Sequence, residues 1–164
     1  MLSRLDASLS KETKSCGDDE PDGGAGINSS RNCLVINNIS ASNRNRDFSK
    51  KASDDYNISS DSTAAGEHSI TGVTPVDSLA APPERFVVFK SLALGAEDFH
   101  LQSAAGNLAV NSGTSQDELF SGDIDRENRF EPWDIGADEI STHTVNFSAG
   151  AGGKITGAAI QTMN

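Results

Sequence analysis

Apolar residues occur along this chain as short clusters separated by Gly, Asn, Asp and Ser. The clusters recur near positions 34, 57, 87, 99, 108, 124 and 133. None of them is long or periodic enough to predict a helix. Short apolar runs bounded by turn residues are typical of β-strands, so the pattern predicts an all-β protein.

The clearest upstream strand lies in residues 32–39, which read NCLVINNI. Leu34, Val35 and Ile36 are predicted to form a buried strand that Asn37 and Asn38 end. An Asn at the corner of a stacked coil can bond backbone groups and the Asn one layer away. The alternative is an ordinary strand followed by an Asn-rich turn.

A second strand is predicted in residues 85–92, RFVVFKSL. The spacing between the strand-like clusters is irregular, so it does not define a numerical repeat. Irregular spacing favours wound coils with loops of variable length over a sandwich of evenly spaced strands.

The last part of the chain, residues 141–164, contains no acid and many glycines. Residues 144–147 and 154–156 are predicted to pair as a hairpin around the string SAGAGG. The expected organisation is a poorly ordered segment or partial coil over residues 1–31, coils and a closing turn over 32–140, and a hairpin tail over 141–164.

Composition agrees with a wound architecture. Hydrophobic residues make up 35% of the chain and aromatic residues 5%, both low for a compact core. A solenoid tolerates such a composition, because each coil needs only a few inward apolar residues and stacks on its neighbour.

The formal net charge of −11 disfavours nucleic acid as a partner, because phosphates would be repelled. The acids predict either a solvated surface or cation binding. No apolar segment reaches the roughly 18 residues of a membrane span. The first residues lack the apolar core of a signal peptide.

One acidic stretch has ligands at calcium-like spacing. Asp123, Asp125, Glu127 and Asp134 offer oxygen atoms, which Ca²⁺ prefers. The sixth position of such a loop is Asn128, where the sharp turn needs Gly. The competing interpretation is an acidic capping turn whose carboxylates accept backbone N–H bonds.

Trp133 is the only tryptophan in the chain. Its ring could stack on a sugar, or it could be buried where the last coil closes, which the need to hide an apolar coil end favours. His68, His100 and His143 show no metal-binding spacing. Alternation with its apolar neighbours predicts that His100 points outward.

The two cysteines, Cys16 and Cys33, do not form a CxxC pair, so neither a zinc knuckle nor a redox motif is indicated. They are predicted to be either a disulfide in an oxidising compartment or two free thiols. The chain contains no nucleophile elbow of the GxSxG type.

The strings NISSDSTAAG, EDFHLQ, NLAVNSGT and GDIDRENRFEPWDIGADE resemble the closing region of bacterial right-handed parallel β-helix repeat proteins of the choice-of-anchor Q type. The similarity covers roughly residues 32–140 and ends on the family's Asp-Ile-Gly-Ala-Asp-Glu signature. Leu108 replaces the usual Pro, Asn111 the usual Asp and Arg126 the usual Gly. The tail HTVNFSAGAGGKITG is similar to the start of internalin B-type repeats.

These resemblances imply the C-terminal coils of a right-handed parallel β-helix with long irregular loops, within a longer secreted or cell-surface protein. The implied role is a non-catalytic structural or adhesive segment whose partner is a glycan or another surface protein. One alternative is the terminal part of a polysaccharide lyase or glycoside hydrolase. Another is an adhesion module stabilised by Ca²⁺.

Overall fold

The computed structural model describes residues 25–27, 34–49, 53–141, 143–154, 156 and 160–163. Of the segment 1–31, which was predicted to be poorly ordered or a partial coil, only residues 25–27 are among those described, and Cys16 and Cys33 lie outside them. Strands and turns form the described part of the chain, which contains no helix. The all-β prediction is therefore confirmed. The described residues include no helix long and apolar enough to cross a membrane.

The strands of the described residues are short. They are β1 (Ala25–Ile27), β2 (Leu34–Ile36), β3 (Ile39–Ser40), β4 (Arg46–Phe48), β5 (Ser53–Asp55), β6 (Ile58–Ser59), β7 (Thr74–Val76), β8 (Phe86–Ser91), β9 (Asp98–Leu101), β10 (His143–Asn146) and β11 (Ile160–Met163).

Most of the pairing between these strands is parallel. Strand β1 pairs with β4, β2 with β5, β3 with β6 and β7 with β8, all in the parallel sense. Parallel strands cannot be joined by a tight hairpin and need a crossover that brings the chain back in the same direction. The connection within each of these pairs therefore returns the chain to the same direction.

A four-residue corner recurs in three consecutive layers. Residues 37–40 read NNIS, residues 56–59 read YNIS and residues 68–71 read HSIT. Ile39 pairs with Ile58, and Ile58 forms a parallel bridge with Ile70. The spacing of the apolar clusters did not reveal this repeat. The loop between the first and second corners is longer than the loop between the second and third.

The corner residue has the same backbone conformation in the first two layers. Asn37 and Tyr56 have φ angles of 57° and 53°, and the N–H of Asn37 donates to the carbonyl of Tyr56 at 3.0 Å. A left-handed residue turns the chain sharply, and Asn adopts this conformation more readily than most residues. This geometry explains why an Asn follows β2.

Two apolar clusters form the core of the described residues. The larger contains one or two residues from each successive segment: Ile39, Ile58, Val73, Val87, Phe89, Leu101, Ala109 and Ile135. The smaller contains Ile27, Val35, Phe48 and Ala64. The predicted buried run of Leu34, Val35 and Ile36 alternates instead, with Leu34 45% exposed and Val35 buried, because neighbouring residues on a strand face opposite sides.

Backbone hydrogen bonds continue beyond β8 and return to the first corner. The connection is made by Leu108 N to Phe86 O at 3.0 Å, Ile135 N to Ala109 O at 2.8 Å, and Gly136 N to Asn37 O at 2.9 Å. The stretch around Ile135 therefore lies between the segment at Ala109 and the first corner.

Three apolar clusters that predicted strands lie instead in turns or irregular backbone. Leu108, Ile124 and Trp133 all fall outside the strands. Strand β9 pairs with β8 in the antiparallel sense, with Phe89 opposite Leu101. Dense turn chemistry overrides the apolar clusters here, since Asn and Asp side chains offer the backbone local bonds.

The tail forms a hairpin, but its second strand is displaced from the predicted position. Strand β10 pairs antiparallel with β11, and Lys154 and Thr156 lie outside any strand. The glycine-rich string makes its own turn, with Gly153 N bonded to Gly150 O at 2.9 Å and Gly152 at φ 83°. This turn lengthens the loop and moves the return strand further along the chain.

Candidate functional site: the closing turn and the His100 cleft

The closing turn comprises residues 121–140. Its first bend is held by Asp123, whose Oδ1 accepts the N–H groups of Asp125 and Glu127, both at 2.9 Å. Arg126 has a φ of 70°. The side chain of Asp123 thus fixes a bend in which Arg126 takes the left-handed conformation.

Three further carboxylates bond backbone N–H groups, as the capping interpretation expects. Asp134 accepts from Asn111 at 2.6 Å and from Ile140 at 2.8 Å. Asp138 accepts from Leu101 N at 2.7 Å, and Glu139 accepts from Asp134 N at 2.9 Å. These bonds tie the turn to itself and to the segments that it covers.

The structure does not bring together the four acids that the sequence suggested as calcium ligands. Asp123 is buried and occupied by the backbone of its own bend. Asp134 is buried and holds two N–H groups through its two oxygens. Asp125 contributes instead to another group, with His100 and Asp138.

Trp133 lies at the centre of the closing turn and is fully buried. Phe120 packs against it with ring centroids 5.3 Å apart, and the guanidinium of Arg129 lies 5.1 Å from its centroid. A buried ring cannot offer a flat face to a sugar, so Trp133 as a glycan-stacking platform is excluded in this conformation. Its position matches the burial interpretation.

Arg129 connects the two ends of the turn from a buried position. It donates to Gly136 O at 2.6 Å and to Asp134 O at 3.2 Å, and it lies 3.4 Å from the Oε2 atom of Glu139. Its Nε atom and the indole N–H of Trp133 have no hydrogen-bond partner among the described residues. The turn is thus dense in polar contacts but not fully satisfied.

Burial dominates the electrostatics of the turn. It raises the pKa of Glu139 to about 7, although the N–H of Asp134 and the charge of Arg129 both lower it. Burial also raises the pKa values of Asp134 and Asp138. Desolvation disfavours the ionised carboxylate, and the guanidinium of Arg129 offsets only part of that cost at Asp134 and Glu139.

Two glycines permit the close packing of the turn. A Cβ at Gly136, which has a φ of 121°, would lie 3.0 Å from Cδ1 of Ile39. A Cβ at Gly113 would lie 2.8 Å from the carbonyl oxygen of Asp134. Gly136 is favoured chiefly by its φ of 121°, which side chains rarely adopt, while a Cβ there would also need the end of the Ile39 side chain to shift by a few tenths of an ångström.

Beside the turn lies an open cleft of about 660 Å³. Its lining includes Lys90, His100, Gln102, Asp125, Glu127, Asp138 and Glu139. His100 stands on β9 and contacts carboxylates through both ring nitrogens. Its Nδ1 bonds to Asp98, and its Nε2 lies 3.0 Å from Oδ2 of Asp125.

The prediction that His100 is a solvated outward residue is incomplete. Its side chain is only 26% exposed, and the hydrogen bond that its ring donates to Asp98 raises its pKa, with a further contribution from Asp125. The sequence did contain one signal, because residues 98 and 100 must share a face of a strand. It contained none that would add Asp125 or Asp138, which arrive from the distant turn.

Comparison of the chain with protein-family models, with curated proteins and with solved structures finds no match. The functional argument therefore proceeds from the geometry described above.

Proposed function

We propose that residues 34–140 are the terminal coils of a parallel β-helix, and that they serve as a structural or adhesive segment of a secreted or cell-surface protein. The resemblance of the closing strings to surface β-helix proteins supports the location. The expected partner is a glycan or another surface protein. In this proposal the segment itself catalyses no reaction.

The observation that carries the proposal is the corner repeated in three layers. Asn38, Asn57 and Ser69 occupy the same corner position, and each contacts the next: Asn38 N bonds to Asn57 Oδ1 at 2.9 Å, and Asn57 N to Ser69 Oγ at 3.0 Å. Stacked polar side chains of this kind recur where identical positions of parallel strands lie one above another. Such stacking is the local signature of a coil.

The closing turn supports a mechanical role. An open coil end presents unpaired backbone groups that recruit other strands. Here Gly136 N bonds to Asn37 O and Gly113 N bonds to Trp133 O at 2.7 Å, so the turn covers such groups on two segments. Its Arg, Trp and carboxylates are engaged in closing the unit, which favours a structural role over catalysis.

The proposal is tested with the full chain in two measurements. Amide hydrogen exchange should show strong protection at Ile58, Ile70, Leu108 and Ile135, whose N–H groups connect the layers. Incubation with acidic polysaccharides should release neither reducing ends nor unsaturated sugars, while a glycan array should report binding. Fast exchange at these amides would refute the wound unit.

A variant of the closing turn provides the control for binding. Gly136→Val places a branched side chain against Ile39 and should open the turn. Glycan binding that depends on the wound unit should fall in this variant and persist in Asp117→Asn, a change on the exposed surface. Turnover of polysaccharide by the intact chain would favour the alternative of a carbohydrate-active enzyme.

A further inference from the structure

The cleft beside the closing turn contains a nitrogen and two carboxylates in a small volume. One ligand atom from each of His100, Asp125 and Asp138 can be chosen so that all lie within 4.8 Å of one another. These residues come from β9 and from two separate parts of the closing turn. The cluster is therefore a product of the fold, and no local spacing in the sequence encodes it.

His100 is oriented as a metal-binding imidazole is. Asp98 bonds to Nδ1 and so directs Nε2 toward Asp125 and the cleft. A carboxylate on the far nitrogen commonly fixes the ring orientation and tautomer of a metal-binding His. Asp98 is not part of the three-residue cluster, so its position is an independent indication.

The contacts of the imidazole also need a positive charge. A neutral imidazole has one N–H donor and one lone pair, so one of its nitrogens would direct a lone pair at a carboxylate. This repulsion is removed either by a second proton or by a cation held between Nε2 and Asp125. The two possibilities make different predictions.

Asp138 adds a buried ligand. It is 7% exposed and lines the cleft. Leu101 N bonds to its Oδ2 atom at 2.7 Å, which fixes the orientation of the carboxylate at the edge of the cleft.

From this arrangement we propose that His100 Nε2, Asp125 and Asp138 bind one divalent transition-metal ion, Zn²⁺ by preference, which clasps β9 to the closing turn. Imidazole nitrogen suits Zn²⁺ and its neighbours, whereas Ca²⁺ and Mg²⁺ take oxygen ligands. Tetrahedral Zn²⁺ with bonds of about 2.1 Å separates its ligands by roughly 3.4 Å. Asp125 supplies the necessary movement, because its side chain is 56% exposed on a turn.

Three protein ligands leave a coordination position open toward the cleft. Glu127, Glu139 and Lys90 line the same space. The site is thus accessible to water or to an anionic group of a bound molecule.

The test uses the full chain with Cys16→Ser and Cys33→Ser, so that thiolates cannot bind the ion. Co²⁺ binding is followed by visible absorption, and Zn²⁺ binding by calorimetry and by the ¹⁵N shift of the His100 ring. We expect one ion per chain, a higher melting temperature with Zn²⁺, and no such effect with Ca²⁺.

Variants locate the ion. Asp125→Asn and His100→Gln should each weaken Zn²⁺ binding at least 10-fold, and Asp98→Asn by about 10- to 100-fold, the usual effect of losing an orienting carboxylate. His68→Gln and Asp117→Asn are the matched controls and should bind Zn²⁺ normally. Asp125 is exposed, so its variant should fold even if the His100 variant does not.

Two results would overturn the proposal. One is the absence of saturable Co²⁺ and Zn²⁺ binding in the parent chain, with both ring nitrogens of His100 protonated, which would show that a proton alone joins the carboxylates. The other is Zn²⁺ binding of unchanged strength in Asp125→Asn, which would place the ion elsewhere.

Discussion

Asn38 and Asn57, one layer apart, share a single carboxamide oxygen. The backbone N–H and the Nδ2 of Asn38 both donate to Oδ1 of Asn57, at 2.9 and 3.3 Å, and Nδ2 of Asn57 donates to Val35 O at 2.8 Å. Both residues are buried. Asn57 thus acts as acceptor and donor at once, a combination that no residue of equal size other than Asn offers.

We therefore expect Asn57→Asp to be strongly destabilising. The carboxylate loses the donor to Val35 O and places a buried negative charge against that carbonyl. The free energy of unfolding should fall by about 3 kcal/mol, the scale of a lost buried hydrogen bond with an unpaired partner. Urea denaturation followed by circular dichroism measures it. Asn45→Asp, on the exposed loop, is the control. An equal loss of stability in both variants would contradict a stabilising role for the hydrogen bonds of Asn57 with Asn38 and Val35.

A second prediction concerns Asp47, which is buried between two layers. Its carboxylate accepts five bonds: Asn43 N and Nδ2 on Oδ1 at 3.2 and 3.0 Å, and Ser60 N, Ser60 Oγ and Asp61 N on Oδ2 at 2.6, 2.7 and 3.1 Å. In Asp47→Asn the new NH₂ group replaces one of the two carboxylate oxygens. In either orientation of the amide this group faces N–H or O–H donors and cannot accept their hydrogen bonds. Asp47→Asn should therefore cost about 3 kcal/mol, since bonds to a charged acceptor are the stronger ones.

The measurement for Asp47→Asn is again the unfolding free energy in urea. Asp117→Asn, the same change at an exposed position, should shift stability by under about 0.5 kcal/mol. If the two variants were equally stable, the carboxylate of Asp47 would not be what joins its layer to the next.

The sequence predicted the β class and the corner Asn residues because both are local consequences of residue type. Asn37 follows an apolar strand and adopts the left-handed conformation that Asn tolerates. The layer register was not predicted, because the corners NNIS, YNIS and HSIT are separated by loops of unequal length. A search for corner strings that allowed variable spacing would have found them.

The closing turn shows a similar division. The capping role of its acids was one of two predicted alternatives, since Asp and Glu next to Gly commonly bond backbone N–H groups. The assembly of His100, Asp125 and Asp138 could not be predicted. It depends on where the turn crosses β9, which is a matter of tertiary packing and not of local sequence.

A pH-dependent prediction arises from Asp55 and His68. His68 Nδ1 lies 2.8 Å from Asp55 Oδ2, and this hydrogen bond raises the pKa of His68 above 6.5. Burial tends to raise the pKa of Asp55, but bonds from His68 and Tyr56 bring it below 3.8. The His68 contribution to stability is complete below pH 6.5 and is lost as pH rises through the folded pKa. The Asp55 contribution to stability is present above pH 3.8 and is lost as pH falls through the lowered pKa of Asp55 in the folded protein.

The titration of the His68 ring, followed by NMR, tests this pair. Asp55→Asn should lower the pKa of His68 toward 6.5, because the bond to a charged acceptor is lost. Glu67→Gln is the matched control, since Glu67 acts on His68 only through its charge and as the weakest contribution. Equal shifts in the two variants would show that nearby negative charge, and not the hydrogen bond to Asp55, sets the pKa of His68.

The final prediction concerns the buried pair of Arg129 and Glu139, whose side chains are 1% and 4% exposed. Removing one partner of a buried pair leaves an uncompensated charge and typically costs about 3–5 kcal/mol. Well above pH 7, where Glu139 with its pKa of about 7 is ionised, Arg129→Met should show this loss, and Glu139→Gln, which keeps an acceptor for Asp134 N, a smaller one. The double variant should then lose about 1 kcal/mol or more less stability than the sum of the two single losses, the coupling expected of contacting residues.

Unfolding in urea, followed by circular dichroism, measures the free energy of unfolding of all four proteins in this double-mutant cycle. Additive losses would mean that Arg129 stabilises the turn through the carbonyls of Asp134 and Gly136 alone, without help from Glu139.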